Sequence, residues 1–222
     1  MSKSCSGPRV RLAGKGKTMR CAVREFQNLD LWAHSFLGDV PLHDAFVIDL
    51  PGGGSGRTIS DIHALLSTDE ALKVNPLVAS LVWFRYFLGG VLGWENDSDQ
   101  FNPHSYLHRL DAADRARSLI QPGTEDGPFR LLNVLPGERL REVVNATVHA
   151  FLCEALRESD SGYRLYWGVY VKPVSRLTPV YMAVIAPFRR LAVYPAILGR
   201  IRKAWMSKYK TSERIAPLTA TK

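Results

Sequence analysis

His149 is the only histidine in the second half of this 222-residue chain, and it falls in a run of alternating polar and apolar residues that reads as a β-strand. An imidazole partly withdrawn from water titrates near neutral pH and can work as an acid or a base. Glu142 and Glu154 flank it in sequence as candidate partners. A second chemistry, the holding of an apolar molecule, is offered by Trp83, Tyr86 and Phe87 in one hydrophobic segment. Tyr163, Trp167, Val169 and Val171, which alternate along another, offer the same. An ordinary core uses such residues too. Arg85 and Arg189 interrupt the two most apolar segments, where a guanidinium must snorkel to water, meet an internal acid or receive a ligand carboxylate.

Two further motifs weaken under their own rules. His104 and His108 stand four apart with Asp111 and Asp114 nearby, but Pro103 and the lack of the flanking glutamate of a helical zinc motif argue against a metal. The run Pro51-Gly52-Gly53-Gly54-Ser55-Gly56-Arg57-Thr58 occupies the place of a phosphate loop between strand and helix. It has proline where that loop needs glycine and arginine where it needs lysine, so it reads as a turn. Neither a metal nor another cofactor is expected.

The elements that must position these residues follow from periodicity. Residues 40–50 end in the apolar run Ala45-Phe46-Val47-Ile48-Asp49-Leu50 and read as the first strand. A helix capped by Thr58 or Ser60 follows as far as Ser67, and a second, apolar nearly all round, covers about 76–93. Residues 95–127 are polar and read as a surface excursion with a short helix near 112–120. Four strands then run from Phe129 to Val171, joined by Pro136-Gly137 and by Ser159-Asp160-Ser161-Gly162, a pattern of antiparallel neighbours. A terminal helix over about 179–203 contains Pro187 and Pro195, so a kink or break is expected there. The class is α+β, with a curved antiparallel sheet wrapped around a long C-terminal helix in the helix-grip manner.

Composition bounds the partners. The net charge of +8 sits at the ends: seven cations from Lys3 to Arg24 with no acid among them, and a second cluster from Arg200 to Lys210. Such ends can meet an anionic membrane weakly. The first 24 positions hold no aromatic residue for stacking on bases, which argues against nucleic acid. Residues 1–29 are expected to be a disordered basic arm, 30–207 a single domain and 208–222 a flexible tail. Cys5, Cys21 and Cys153 form no paired framework, and the basic start lacks a continuous apolar core, so a reducing cytoplasm fits best. Residues 76–94 and 179–201 approach membrane-span composition. A charge at mid-bilayer costs about 2.5–3.5 kcal/mol even on lenient scales, so buried or interfacial helices explain both segments better.

Asp44-Ala45-Phe46, Trp83-Phe84-Arg85 to Leu92-Gly93, and Val171-Lys172-Pro173 through Arg176-Leu177, Tyr181 and Pro187-Phe188-Arg189-Arg190-Leu191 together resemble a bacterial family, domain of unknown function 2867. The resemblance covers about residues 35–205, includes the Asn145 to His149 region, and suggests kinship with the START and Bet v 1-like (SRPBCC) helix-grip proteins. Where the family tends to carry His-Asn, Gly and His, this chain has Val174-Ser175, Thr178 and Arg189, so a polar site shared at those positions would be altered here. The resemblance implies no established reaction. The expected function is binding of a hydrophobic small molecule or lipid between sheet and terminal helix, without catalysis. Trp83, Tyr86, Phe87, Trp167 and Val169 would line the site, and Arg85 or Arg189 would orient a polar end. Two alternatives stand beside it: a cyclase- or hydratase-type enzyme using the same cavity with His149 as acid or base, and a protein peripheral to a membrane surface.

Overall fold

Strands whose apolar residues fall on both sides need cover on both faces, and this chain supplies it from its two ends. The computed structural model describes residues 10–11, 18–67, 105–144, 148–174 and 178–209. Its elements begin with β1 (Val10–Arg11), β2 (Thr18–Cys21), α1 (Val23–Gln27), α2 (Trp32–Phe36), β3 (Leu42–Pro51) and α3 (Ile59–Ser67). A 3-10 turn, Tyr106–Arg109, then precedes α4 (Ala112–Arg117), β4 (Glu125–Asp126), β5 (Phe129–Leu135) and β6 (Glu138–Val144). The last elements are β7 (Val148–Ser159), β8 (Gly162–Pro173), α5 (Thr178–Phe188) and α6 (Tyr194–Tyr209). The fold is α+β: an antiparallel open sheet, ordered β1-β2-β3-β8-β7-β6-β5-β4, with a long C-terminal helix.

One face of the sheet carries Phe46, Ile48, Leu50, Leu152, Leu156, Leu165, Trp167 and Val169, and packs against α3, α5 and α6 through Ile59, Ile62, Met182, Ile185, Leu198, Ile201 and Trp205. This is the helix face. The other carries Ala45, Val47, Leu140, Phe151, Cys153, Tyr166 and Tyr170, and is covered by Phe26, Leu31, Ala33 and Leu37 with Tyr106. Residues 18–27 of the expected disordered arm therefore form β2 and α1 instead, with Met19 and Phe26 buried. Gly168 explains the fit: a Cβ there would come within 2.3 Å of the Phe26 ring, so the missing side chain leaves the slot that Phe26 fills. Apolar burial of this kind outweighs the disorder that the surrounding basic composition favours.

The first strand, the α3 helix and the four later strands fall where periodicity places them, to within a few residues. The second apolar helix, expected over about 76–93, lies outside the described residues. The terminal helix is longer than expected and carries a π-helical turn, Arg189–Val193, between its two α segments. Pro195 has no N–H to offer the carbonyl four residues back, and the chain widens by one residue there: Tyr194 N–H reaches the Arg189 carbonyl instead. The glycine-rich run is a structural turn. Gly53 lies under Trp205, where a Cβ would approach the indole to 2.5 Å, and Trp205 Nε1 donates to the Pro51 carbonyl at 3.1 Å.

Candidate functional site

The register places polar residues in the middle of the apolar helix face. Phe46, Trp167, Glu154, Arg139 and Val134 lie side by side across β3, β8, β7, β6 and β5. Asp44, Val169, Leu152, Arg141 and Leu131 form the row two residues along each strand. α3 brings His63 over this surface. Its first turn is set by a capping box in which Asp61 accepts from the Thr58 N–H at 2.9 Å. Arg139 donates to His63 Nδ1 and to Asp126 Oδ2, each at 2.7 Å. Arg141 donates to Asp126 and, at 2.8 Å, to Glu154 Oε1. Its guanidinium also lies 4.9 Å from the Phe129 ring centroid.

Burial, and after it the Arg139 charge, push His63 below its usual pKa, so its neutral form keeps the Nδ1 lone pair that Arg139 uses. Burial alone would raise Asp126, but Arg141 and Arg139 together hold it ionised below the usual carboxylate range. The two guanidinium charges thus meet two carboxylates.

What the cluster leaves over is donors. Trp167 Nε1, Arg139 Nε and Arg141 Nε are buried without a hydrogen-bond partner among the described residues. All three lie on the helix face: Trp167 and Arg139 share a cross-strand row with Glu154 between them, and Arg141 is two residues along β6 from Arg139. A buried polar group left unpaired costs about 1–3 kcal/mol, so three neighbours of one kind call for acceptor atoms.

Arg189 borders the same surface. Asp44, fully buried, accepts from Arg190 Nε at 2.8 Å, from Arg189 Nη2 at 3.4 Å and faces His43 Nδ1 at 3.2 Å. Burial would raise Asp44, but His43, Arg190 and Arg189 together hold it below its usual value. The Arg189 guanidinium stands 5.8 Å from the Tyr194 ring, and that ring is 5.3 Å from Phe46, the neighbour of Trp167. Arg189 meets an internal acid, one of the fates open to it, yet its Nε lacks a partner among the described residues.

His149 is elsewhere. It lies on the opposite face, 1% exposed, with its ring 5.0 Å from that of Tyr106. Its Nε2 donates to Glu142 Oε2 at 2.9 Å, and the same carboxylate accepts from the Tyr106 N–H at 2.9 Å and from Ser105 Oγ. Three donors on one buried carboxylate clip the 105–109 segment to the sheet. His149 therefore has the acidic partner named from sequence but shares no surface with Trp167, Val169 and Arg189, which the helix face does bring together. Trp83, Arg85, Tyr86, Phe87 and His104 lie outside the described residues. Asp111 caps α4 by accepting from the Asp114 N–H, and Asp114 accepts from Trp32 Nε1. An open groove of about 510 Å3 between the glycine-rich turn and the β7–β8 hairpin, lined by Gly54, Ser55, Glu158 and Asp160, is a separate feature at the end of the sheet.

The sequence model of the family described as "Protein of unknown function (DUF2867)" matches residues 36–196. The chain belongs to the DUF2867 family. The match runs from α2 into α6, so it takes in Asp44, His63, Asp126, Arg139, Arg141, Glu154, Trp167 and Arg189, whereas β2 and α1 precede it. No curated protein and no solved structure matches the chain.

His63, Asp126, Arg139 and Arg141 were not singled out from sequence. A signal was there: Arg139 and Arg141 flank Leu140 on a strand, which puts both on the face away from Leu140. With one buried face that side is solvent, and only cover on both faces makes it interior.

Proposed function

We propose that this DUF2867 protein binds an amphipathic small molecule, an apolar body with a carboxylate or carbonyl head, on the helix face of its sheet. The observation that carries the reading is the trio of buried N–H donors of Trp167, Arg139 and Arg141, without partners among the described residues and grouped around Glu154 on one face of the sheet. Oxygen acceptors on a ligand complete them, and the apolar residues around them, Val169, Leu152 and Phe46, suit a hydrocarbon body. The reading keeps the expected hydrophobic ligand and places its head at Trp167 rather than at Arg189. A helix-grip kinship with START-like proteins is consistent with a sheet cupping a long helix.

Binding is favoured over catalysis because the candidate proton carriers are engaged. Asp126 and Glu154 are held by guanidinium groups, and the His63 Nδ1 lone pair receives an Arg139 donor. The test is a titration of ligand-stripped protein, by displacement of an environment-sensitive dye, with a medium-chain fatty acid and the alkane of equal length. The acid is expected to displace the dye at a concentration at least tenfold lower, a preference of about 1.4 kcal/mol, and W167F is expected to abolish that preference. Equal displacement by both, or by neither, would count against the proposal.

A further inference from the structure

The outward side of the terminal helix is apolar as well as the inward side. Among the residues of α5 and the π-helical turn whose burial is described, the exposed ones are Pro179, Ala183, Val184, Pro187, Phe188 and Leu191, all apolar. Val184 is 57% and Leu191 64% exposed. Met182, Ile185 and Val193 occupy the opposite side and are buried against the sheet. A globular surface helix would place polar residues on the outward positions.

The charge along the same helix selects the partner. From Thr178 to Tyr209 there is no acidic residue, and the cations are Arg189, Arg190, Arg200, Arg202, Lys203 and Lys208. Lys203 and Lys208 are exposed in α6, beyond the apolar stripe. Met182–Tyr209 reaches a mean hydropathy of 1.3 over an 18-residue window, yet only 28% of that window is buried. A core helix of the same composition would be mostly buried.

We infer that the outward stripe of α5 and the π-helical turn docks onto an anionic lipid bilayer, lying in the plane of the interface. Val184, Phe188 and Leu191 enter the headgroup boundary, and the cations of α6 face lipid phosphates. The helix lies on the membrane and does not cross it, because its other side, Ile185 to Leu198, Ile201 and Trp205, is built into the core. Docking is independent of the ligand site, which is on the sheet side of the helix, so either can fail alone.

The test is co-sedimentation of the full chain with vesicles of equal parts phosphatidylglycerol and phosphatidylcholine, beside vesicles of phosphatidylcholine alone, at low and high salt. Wild type is expected to partition onto the anionic vesicles at low salt, with V184D and L191D each lowering the partition coefficient roughly tenfold. A K203E/K208E variant should lower it on anionic vesicles and leave the neutral ones unaffected. Absence of binding at low salt would overturn the inference. So would a dimer in light scattering that L191D converts to monomer, since a second copy would then occupy the stripe. A clear fall in melting temperature of both aspartate variants without vesicles would also overturn it, by showing the stripe to be covered from within the chain.

Discussion

Trp167 is the residue at which binding and packing part company. Trp167→Phe keeps an aromatic ring opposite Phe46 and deletes the unpartnered N–H, so the lost packing is offset by removal of an orphan donor. Stability of the ligand-free variant, by urea denaturation, should stay within about 1 kcal/mol of wild type while retention of a carboxylate ligand falls. Arg141→Met should behave differently. It strips Glu154 of its guanidinium and leaves a buried carboxylate, a loss of about 3–5 kcal/mol in the same measurement. His63 supplies a pH signature. Its folded pKa is lowered, so the unfolded chain takes up the proton first as pH falls below about 6.5, and stability drops from there towards the folded value. Burial also lowers His34, which adds a slope of the same sign, so the His63 part is read as the difference between wild type and His63→Asn in denaturation midpoints from pH 7 to 5. The Trp167 and Glu154 positions were visible in sequence as an aromatic and an acid on strands. That they are register neighbours was not, because periodicity assigns a face and leaves pairing open.

At the scale of elements, residues 18–27 of the stretch that composition marks as an arm are structural. Phe26 fills the slot over Gly168, so Phe26→Ala should cost about 3–5 kcal/mol, and Gly168→Val should destabilise as strongly by pushing α1 off the sheet. Thermal denaturation of both variants checks this; unchanged melting would mean that residues 18–27 contribute nothing to the core. Lys, Arg, Gly and Ser dominate the first 24 positions, and a single phenylalanine with two or three small apolar neighbours is too weak a pattern to reveal a helix of five residues. The strands from Phe129 to Pro173 were legible because their turns carry Pro-Gly and Ser-Gly, and β3 because it ends at a proline and a glycine cluster. The π-helical turn was legible only as a break, since Pro187 and Pro195 announce lost hydrogen bonds without saying how the helix repairs them.

Over the whole molecule, a sheet covered on both faces separates two polar clusters that the chain order interleaves. His149 and Glu142 hold the N-terminal side together, and Arg139, Arg141, Glu154 and Trp167 stand on the helix side. The enzyme alternative would put His149 in one cavity with Trp167; the two point to opposite faces, which a period of two decides only once the register is known. The helix side is the proposed ligand site. The most direct measurement is native mass spectrometry of wild type and Trp167→Phe purified gently from a cellular host, with denaturing extraction of whatever is bound. Wild type is expected to carry a one-to-one adduct, an apolar molecule with a carboxylate or carbonyl head, that is depleted in Trp167→Phe. A wild-type protein at its bare mass that also fails to take up any such molecule would contradict the proposed binding.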